Sequence, residues 1–402
     1  MRVALLSMLD SAGEPGEGHK AFIPFAGKTV ARRQIELALA LGCERVVCLA
    51  DNLGPGLIAL QHEVESAGAK FHVISVPRAL CGLVYATDEL IMLADGVLPL
   101  ADEARDILAK GNAIVVVSAE TGIPAGFERI DLNHAWAGAL VMPGKLVERL
   151  NELPQDCDGV SSLLRIALQG RVPERVLPDA VLAEGRWAML STVGDATSLE
   201  PAWFRRHAAS ADPFTPGRWL AFGLAARFGV GWLNRGIRPA YLLTCAVLLL
   251  CLALAGGWMG MIAGGFAALG FSWFLADASQ SLDHGERAGR ERKPFFAKVI
   301  QAFALAADLA VIALLAMAMD GMFASLFALL FIPLTLMGLV WLVPYLSRKR
   351  WAGLLGDRVV LALILALGAT MDILPELTQC LILILVGCAI ILSRAERRLT
   401  QI

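Results

Sequence analysis

Apolar and polar positions follow two different rhythms along this chain. In the first half, short apolar runs recur: Val3 to Leu6, Arg45 to Ala50, His72 to Val76, Leu90 to Ala94 and Ala113 to Ser118. Each is of strand length and bounded by turn residues, which predicts buried strands. Between them Val30 to Leu41 carries helical spacing, and Val64 to Gly68 reads as the end of another helix. Strands alternating with helices predict an α/β, Rossmann-like domain built on a mostly parallel sheet with helices on both faces. Ligands of such sheets bind beyond the carboxyl ends of the strands.

From Tyr241 onward the apolar runs lengthen. Six candidates approach the roughly 20 residues that a bilayer core requires: Tyr241 to Gly256, Trp258 to Ala276, Val299 to Met317, Met322 to Leu346, Val359 to Ile373 and Leu377 to Leu392. An all-α polytopic membrane domain with about six transmembrane helices is therefore expected. Lys and Arg gather in alternate connectors: Arg287, Arg290, Arg292, Lys293 and Lys298, then Arg348, Lys349, Arg350 and Arg358, then Arg394, Arg397 and Arg398. Basic connectors stay on the cytoplasmic side. This predicts a multi-pass inner (cytoplasmic) membrane protein with both termini cytoplasmic and the lipid bilayer as its partner.

Between the halves, Arg218 to Pro239 sets Trp219, Phe222, Phe228 and Trp232 among four arginines. It reads either as a helix lying in the headgroup layer or as a linker helix. The expected organisation is an α/β domain over 1–210, a juxtamembrane helix and linker over 211–240, and the membrane domain over 241–402.

Composition adds exclusions. The 402 residues carry a formal net charge of only -2, so nothing points to nucleic acid. The eight cysteines form no CxxC pair and half lie in apolar segments, which marks them as reduced packing residues. The first residues lack the long apolar region and cleavage site of a secretory signal, so the N-terminal domain is expected to stay in the cytoplasm.

Candidate chemistry begins after the first strand, where Gly13, Gly16 and Gly18 precede Lys20. A glycine-rich turn can hold phosphate on backbone N–H groups, with the lysine neutralising it; a surface loop with a solvated lysine is the alternative. The order strand, Gly-rich loop, Lys20, Ile23-Pro24-Phe25-Ala26-Gly27-Lys28 and a helix with Arg33-Gln34-Ile35-Glu36 resembles the sugar-phosphate nucleotidyltransferases (MobA-like NTP transferases). The resemblance implies that Lys20 meets a nucleotide or sugar phosphate and that Asp95, in Leu93-Ala94-Asp95-Gly96, holds Mg²⁺ as cofactor. Asp95-Gly96 also reads as a plain turn. This chain departs from the family at Leu6-Ser7-Met8-Leu9-Asp10, which has no arginine before Lys20, and for the second metal carboxylate Asp195 is the nearest candidate.

The apolar half resembles the CDP-alcohol phosphatidyltransferases, and the fused order is similar to bifunctional inositol-phosphate cytidylyltransferase and di-inositol-phosphate-phosphate synthase. That implies phospholipid-headgroup transfer, a nucleotide or CDP-linked lipid or alcohol as ligand, and a homodimer. The family's four signature aspartates hold two metals. Here the matching stretch is Ser281-Leu282-Asp283-His284-Gly285-Glu286-Arg287-Ala288-Gly289, in which Gly285 and Ala288 survive while Ser281 and His284 replace aspartates and Gly289 stands at the arginine. Nearby acids are Asp277, Asp283, Glu286 and Asp308. An intramembrane carboxylate is costly and is either functional or paired, so Asp308 is the most informative. Two readings remain open: a transferase-related protein of polar-lipid synthesis, or a pseudoenzyme that binds, regulates or scaffolds.

Overall fold

In a computed structural model the chain divides into two compact units, Met1–Trp203 and Phe204–Ile402. The structure describes all residues except 14–17, 100, 155–156, 208–211, 288–293, 321–324, 347–350 and 400–402.

The first unit is built on a sheet whose labelled strands are β1 (Arg2–Ser7), β2 (Arg45–Leu49), β3 (Lys70–Ile74), β4 (Glu89–Leu93), β5 (Ala113–Ser118), β6 (His134–Pro143) and β7 (Glu174–Val176). Their order is β7-β5-β6-β4-β1-β2-β3. β3, β2, β1 and β4 run parallel, whereas β6 runs antiparallel to both β4 and β5. All five strands expected from the apolar runs are present, whereas β6 and β7 are not among them.

Side chains alternate between the two faces of a strand. Ala4, Leu6, Val46, Cys48, Ile91 and Leu93 enter one core. Val3, Leu5, Val47, Leu49, Leu90 and Met92 enter the other. Such strands are apolar at every position because both faces are covered. Helices α1 (Val30–Ala40) and α2 (Pro55–Ser66) contribute to the first core and α3 (Gly159–Gln169) to the second. The Thr29 hydroxyl caps α1 by accepting the Arg32 N–H at 3.3 Å, and Gly42 follows its end at φ +79°. All eight cysteines are free thiols. Burial pushes the Cys43 thiol up to about 12 and raises that of Cys48 as well, so both are inert packing groups.

The second unit is helical: α5 (Pro216–Asn234), α6 (Pro239–Trp258), α7 (Ile262–Arg287), α8 (Pro294–Ala318), α9 (Leu326–Tyr345), α10 (Arg358–Thr370) and α11 (Leu374–Leu399). The helix Val193–His207, labelled α4, precedes them. Among the described residues four helices are long and apolar enough to cross a membrane, over Pro239–Trp258, Ile262–Glu286, Phe295–Ala318 and Leu374–Leu392. These four do not clearly amount to the six spans expected, and two shorter apolar helices cover Leu329–Pro344 and Arg358–Thr370. At 1.5 Å per residue, the 13 residues of α10 reach only about 20 Å, against a hydrocarbon core of about 30 Å.

α7 lies at the centre and packs against α5, α6, α8 and α10, while α9 packs on α11. It also continues past Ala276, where the sequence suggests a loop, so the polar segment from Asp277 to Glu286 is helical. The buried stripe of α5 is Gly217, Ala221, Ala225, Gly229 and Leu233, residues spaced four apart, of which the first four are small enough to allow close packing. Trp219, Leu220 and Phe228 of the same helix stay exposed. The basic connectors around Arg290, Arg292, Lys293 and Arg348–Arg350 lie outside the described residues, as do the side chains of Arg287, Arg394, Arg397 and Arg398.

Candidate functional sites

In the first unit a cavity of about 550 Å³ opens beyond the carboxyl ends of β1 and β4, where Ser7, Asp10, Lys20 and Asp95 meet. Asp95 follows β4 and is 6 % exposed. Its Oδ2 accepts from the Ser7 hydroxyl at 2.6 Å and from the N–H groups of Leu9 at 3.1 Å and Asp10 at 3.3 Å. Its Oδ1 is buried and has no hydrogen-bond partner among the described residues. Burial pushes the Asp95 carboxyl above the ordinary carboxylate range, opposed by the Ser7 hydroxyl and the two amides and reinforced by the negative charge of Asp10.

The turn holding Asp95 is braced from two sides. Gln34 of α1, buried, donates to the carbonyls of Ala94 at 2.9 Å and Val97 at 2.8 Å. Gly96 adopts φ +72°, and a Cβ there would overlap the Leu190 carbonyl oxygen. The Arg33 guanidinium donates to the carbonyls of Phe25 and Ala26 at about 3 Å and sits 4.3 Å from the Trp203 ring centroid. It thereby fixes the hairpin turn at Ala26 and Gly27, both at positive φ. Arg33 and Gln34 therefore serve as scaffold for the site, a role their place in the family-like stretch does not reveal.

Lys20 lines the cavity with its Nζ 2.9 Å from Asp10 Oδ2. Gly13 and Gly18 do not line the cavity. The Gly13 N–H is spent on the Ser191 carbonyl at 2.9 Å, and the Gly18 carbonyl accepts the Ala12 N–H at 2.8 Å. Gly16 lies outside the described residues. Asp195 does not line the cavity; it sits in the first turn of α4, where its Oδ2 accepts the Thr192 N–H at 2.9 Å and its own N–H donates to Thr192 Oγ1 at 3.1 Å. That reciprocal pair is a capping box. Asp10 and Asp158, also in the cavity lining, escape the sequence reading. Asp158 had a signal, because it precedes a helical apolar run as an N-cap and does accept the Val160 N–H at 3.0 Å.

The donor set suits a hard divalent cation, since a buried carboxylate oxygen with no hydrogen bond, just past a parallel strand, is a ligand in want of a partner. The pH consequence follows in sign. A raised folded-state pKa means the folded chain holds a proton that the unfolded chain has lost, so this group's contribution to stability falls as pH rises from about 3.8 through the raised value. Without divalent cations, Asp95→Asn is therefore expected to unfold at higher temperature than wild type at pH 7, with the difference shrinking towards pH 4. A pH series of thermal melts checks this, and an unchanged or lower melting temperature at pH 7 contradicts it.

The second unit has its own cavity of about 590 Å³, lined among others by Arg218, Trp273, Asp277, Asp308, Trp341 and Arg358. Asp308 is paired: Arg358 Nε donates to its Oδ1 at 3.0 Å, Arg358 Nη2 to its Oδ2 at 3.2 Å, and Trp341 Nε1 to its Oδ2 at 2.6 Å. The Arg358 guanidinium also lies 5.4 Å from the Trp273 ring centroid. Asp357 spends Oδ1 on the Val359 and Val360 N–H groups and Oδ2 on the Gly217 N–H at 2.8 Å.

Of the signature-like residues, only Asp277 and Asp308 share this cavity. At about 100° per residue, Asp283 and Glu286 fall about 240° and 180° around α7 from Asp277. The His284 ring meets the Gln280 carbonyl at 2.8 Å. Gly285 packs under the Phe204 ring, which a Cβ would overlap, so close packing accounts for that glycine. Ala288 and Gly289 lie outside the described residues.

The chain thus joins an α/β unit with a carboxylate-and-lysine cavity to a helical unit with four membrane-length helices. No family model matches it, and no curated protein does. Solved structures align over its N-terminal half. A Bacillus anthracis protein assigned as a glucose-1-phosphate thymidylyltransferase, in complex with a sucrose, is similar at 12% identity over 50% of this chain and 95% of its own, with a TM-score of 0.40. HddC from Yersinia pseudotuberculosis, complexed with GMP-PN, is similar at 12% identity over 50% and 98%, with a TM-score of 0.36. Inositol-1-phosphate CTP transferase from T. maritima is similar at 15% identity over 50% and 96%, with a TM-score of 0.36.

Proposed function

We propose that this chain is a membrane-bound, transferase-related protein of polar-lipid synthesis whose first unit binds a nucleotide together with Mg²⁺. The observation that carries the reading is the free, buried Oδ1 of Asp95 in the same cavity as Lys20. A divalent cation there would neutralise charge on a nucleotide's phosphates, and the Lys20 ammonium would supply a further positive charge. The cavity's place beyond the strand ends is where α/β sheets take ligands, and the family-like stretch from Lys20 to Glu36 agrees.

The helical unit supports the pseudoenzyme reading for its own part. Two-metal transfer needs carboxylate oxygens free to ligate, whereas those of Asp308 and Asp357 are committed to Arg358, Trp341 and helix-end amides. The lipid bilayer is its surroundings, with the outward Trp219, Leu220 and Phe228 of α5 in the interfacial layer.

The test is calorimetry on the full chain in detergent with CTP, UTP, GTP and ATP, with and without Mg²⁺. At least one nucleotide should bind in a Mg²⁺-dependent manner, and Lys20→Ala or Asp95→Ala should each weaken it by about 1–3 kcal/mol, as for hydrogen bonds to charged groups. If none binds at millimolar concentration, the nucleotide reading falls.

A further inference from the structure

A single free oxygen on Asp95 is a sparse seat for a divalent cation, which gathers several oxygen ligands and is held best where two carboxylates meet. Three other acidic residues line the cavity. Asp158 has Oδ1 on the Val160 N–H and Oδ2 on the Ser161 hydroxyl at 2.6 Å, so it is spent on its helix. Glu128 lies on a short edge strand paired with β6 and makes no bond to Asp95 or its turn.

Asp10 is placed differently. Its N–H donates to Asp95 Oδ2 and its carbonyl accepts the Lys20 N–H at 2.9 Å, so its backbone is anchored beside Asp95 while its carboxylate stays 58% exposed. Among the described residues that carboxylate is held only by Lys20 Nζ, at 2.9 Å. An ion pair this exposed is weak, and side-chain rotation alone can break it.

We propose that Asp10 and Asp95 together form the divalent-cation site of the first unit, and that the Asp10–Lys20 ion pair is its cation-free form. The cation draws Asp10 away from Lys20. Two carboxylates then balance its double charge, and the released Lys20 ammonium is left to meet a phosphate. The loop thereby couples the two ligands, because Lys20 becomes available only once the cation is in place. This rests on the reading of Asp95 as a cation ligand and deepens it by naming the second carboxylate at a position where the family-like loop departs from its pattern.

The experiment is titration of the full chain in detergent with Mn²⁺ alone, followed by electron paramagnetic resonance of the free ion. All proteins carry His134→Ala, which removes the separate surface group of Asp131, His134 and Glu174 whose ligand atoms lie within 4.8 Å of one another. Asp95→Asn should abolish binding, Asp10→Asn should weaken it at least tenfold, and Asp10→Glu should retain most of it. Lys20→Met should tighten it severalfold, an effect in the opposite direction to its expected loss of nucleotide affinity. Thermal melts of the Asp10 variants should match the parent, since no backbone group among the described residues depends on that side chain. Binding lost in Asp95→Asn but unchanged in Asp10→Asn, or weakened in Lys20→Met, would overturn this inference and leave the Asp95 reading standing. A parent that binds no Mn²⁺, or that binds it as well with Asp95→Asn, would overturn both.

Discussion

Replacing Arg358 with leucine is expected to destabilise the helical unit by about 3–5 kcal/mol, the cost of leaving a buried charge without its partner. Asp308 is 4% exposed, and with Arg358 gone the Trp341 indole would be, among the described residues, the one donor left to it. Arg358→Leu also removes the cation from the face of Trp273. Denaturant or thermal unfolding in detergent measures the loss. The double variant Asp308→Leu, Arg358→Leu should recover most of it, because replacing both partners of a buried pair with apolar groups is often neutral or better. A single variant that loses under about 1 kcal/mol would mean that water reaches Asp308 and replaces the guanidinium.

Gly96→Ala is expected to cost the first unit about 3 kcal/mol. Roughly 1–2 kcal/mol comes from placing an L side chain in the left-handed region. The rest comes from overlap with the Leu190 carbonyl, a backbone atom that cannot rotate aside and whose residue donates its N–H to the Gly96 carbonyl at 2.8 Å. Gly68→Ala separates the two effects, since Gly68 has a similar φ of +83° with nothing within 4 Å of its would-be Cβ. It should lose only the backbone part. Equal losses in the two variants would show that Leu190 yields without cost. Because Gly96 follows Asp95, the Gly96 variant should also lose affinity for divalent cations in step with its stability.

Much of the fold was legible because its signals are local. Strands covered on both faces must be apolar at every position, so β1, β2, β3, β4 and β5 announced themselves as short runs. β6 was harder to see: Trp136, Gly138 and the register shift between Trp136 and Leu140 break its pattern, and its direction depends on neighbours distant in sequence. Lys20 and Asp95 were singled out, as expectations, by the family-like stretches that hold them. Ser7, Asp10 and Gln34 were not, since a hydroxyl, an exposed carboxylate and a helical amide have no distinctive spacing until the turn they support is in place.

The membrane half shows the limit most plainly. Asp308 could be recognised from sequence as an anomaly, because a carboxylate among apolar residues is costly wherever they pack. Arg358 looked instead like one more charge in a basic connector, 50 residues away along the chain. Only the packing of α8, α9 and α10 brings its guanidinium to Asp308 and adds the Trp341 indole. Likewise, the acids of the polar segment could be counted in sequence, but the continuation of α7 decides that Asp277 shares a cavity with Asp308 while Asp283 and Glu286 turn away. What the chain alone determined is what short-range periodicity and hydropathy encode: which segments are strands, which are apolar helices, and which residues are out of place among them. Which of those misplaced residues become partners was decided by tertiary structure, because a hydrogen bond or ion pair requires an approach of about 3 Å that no spacing in the sequence specifies.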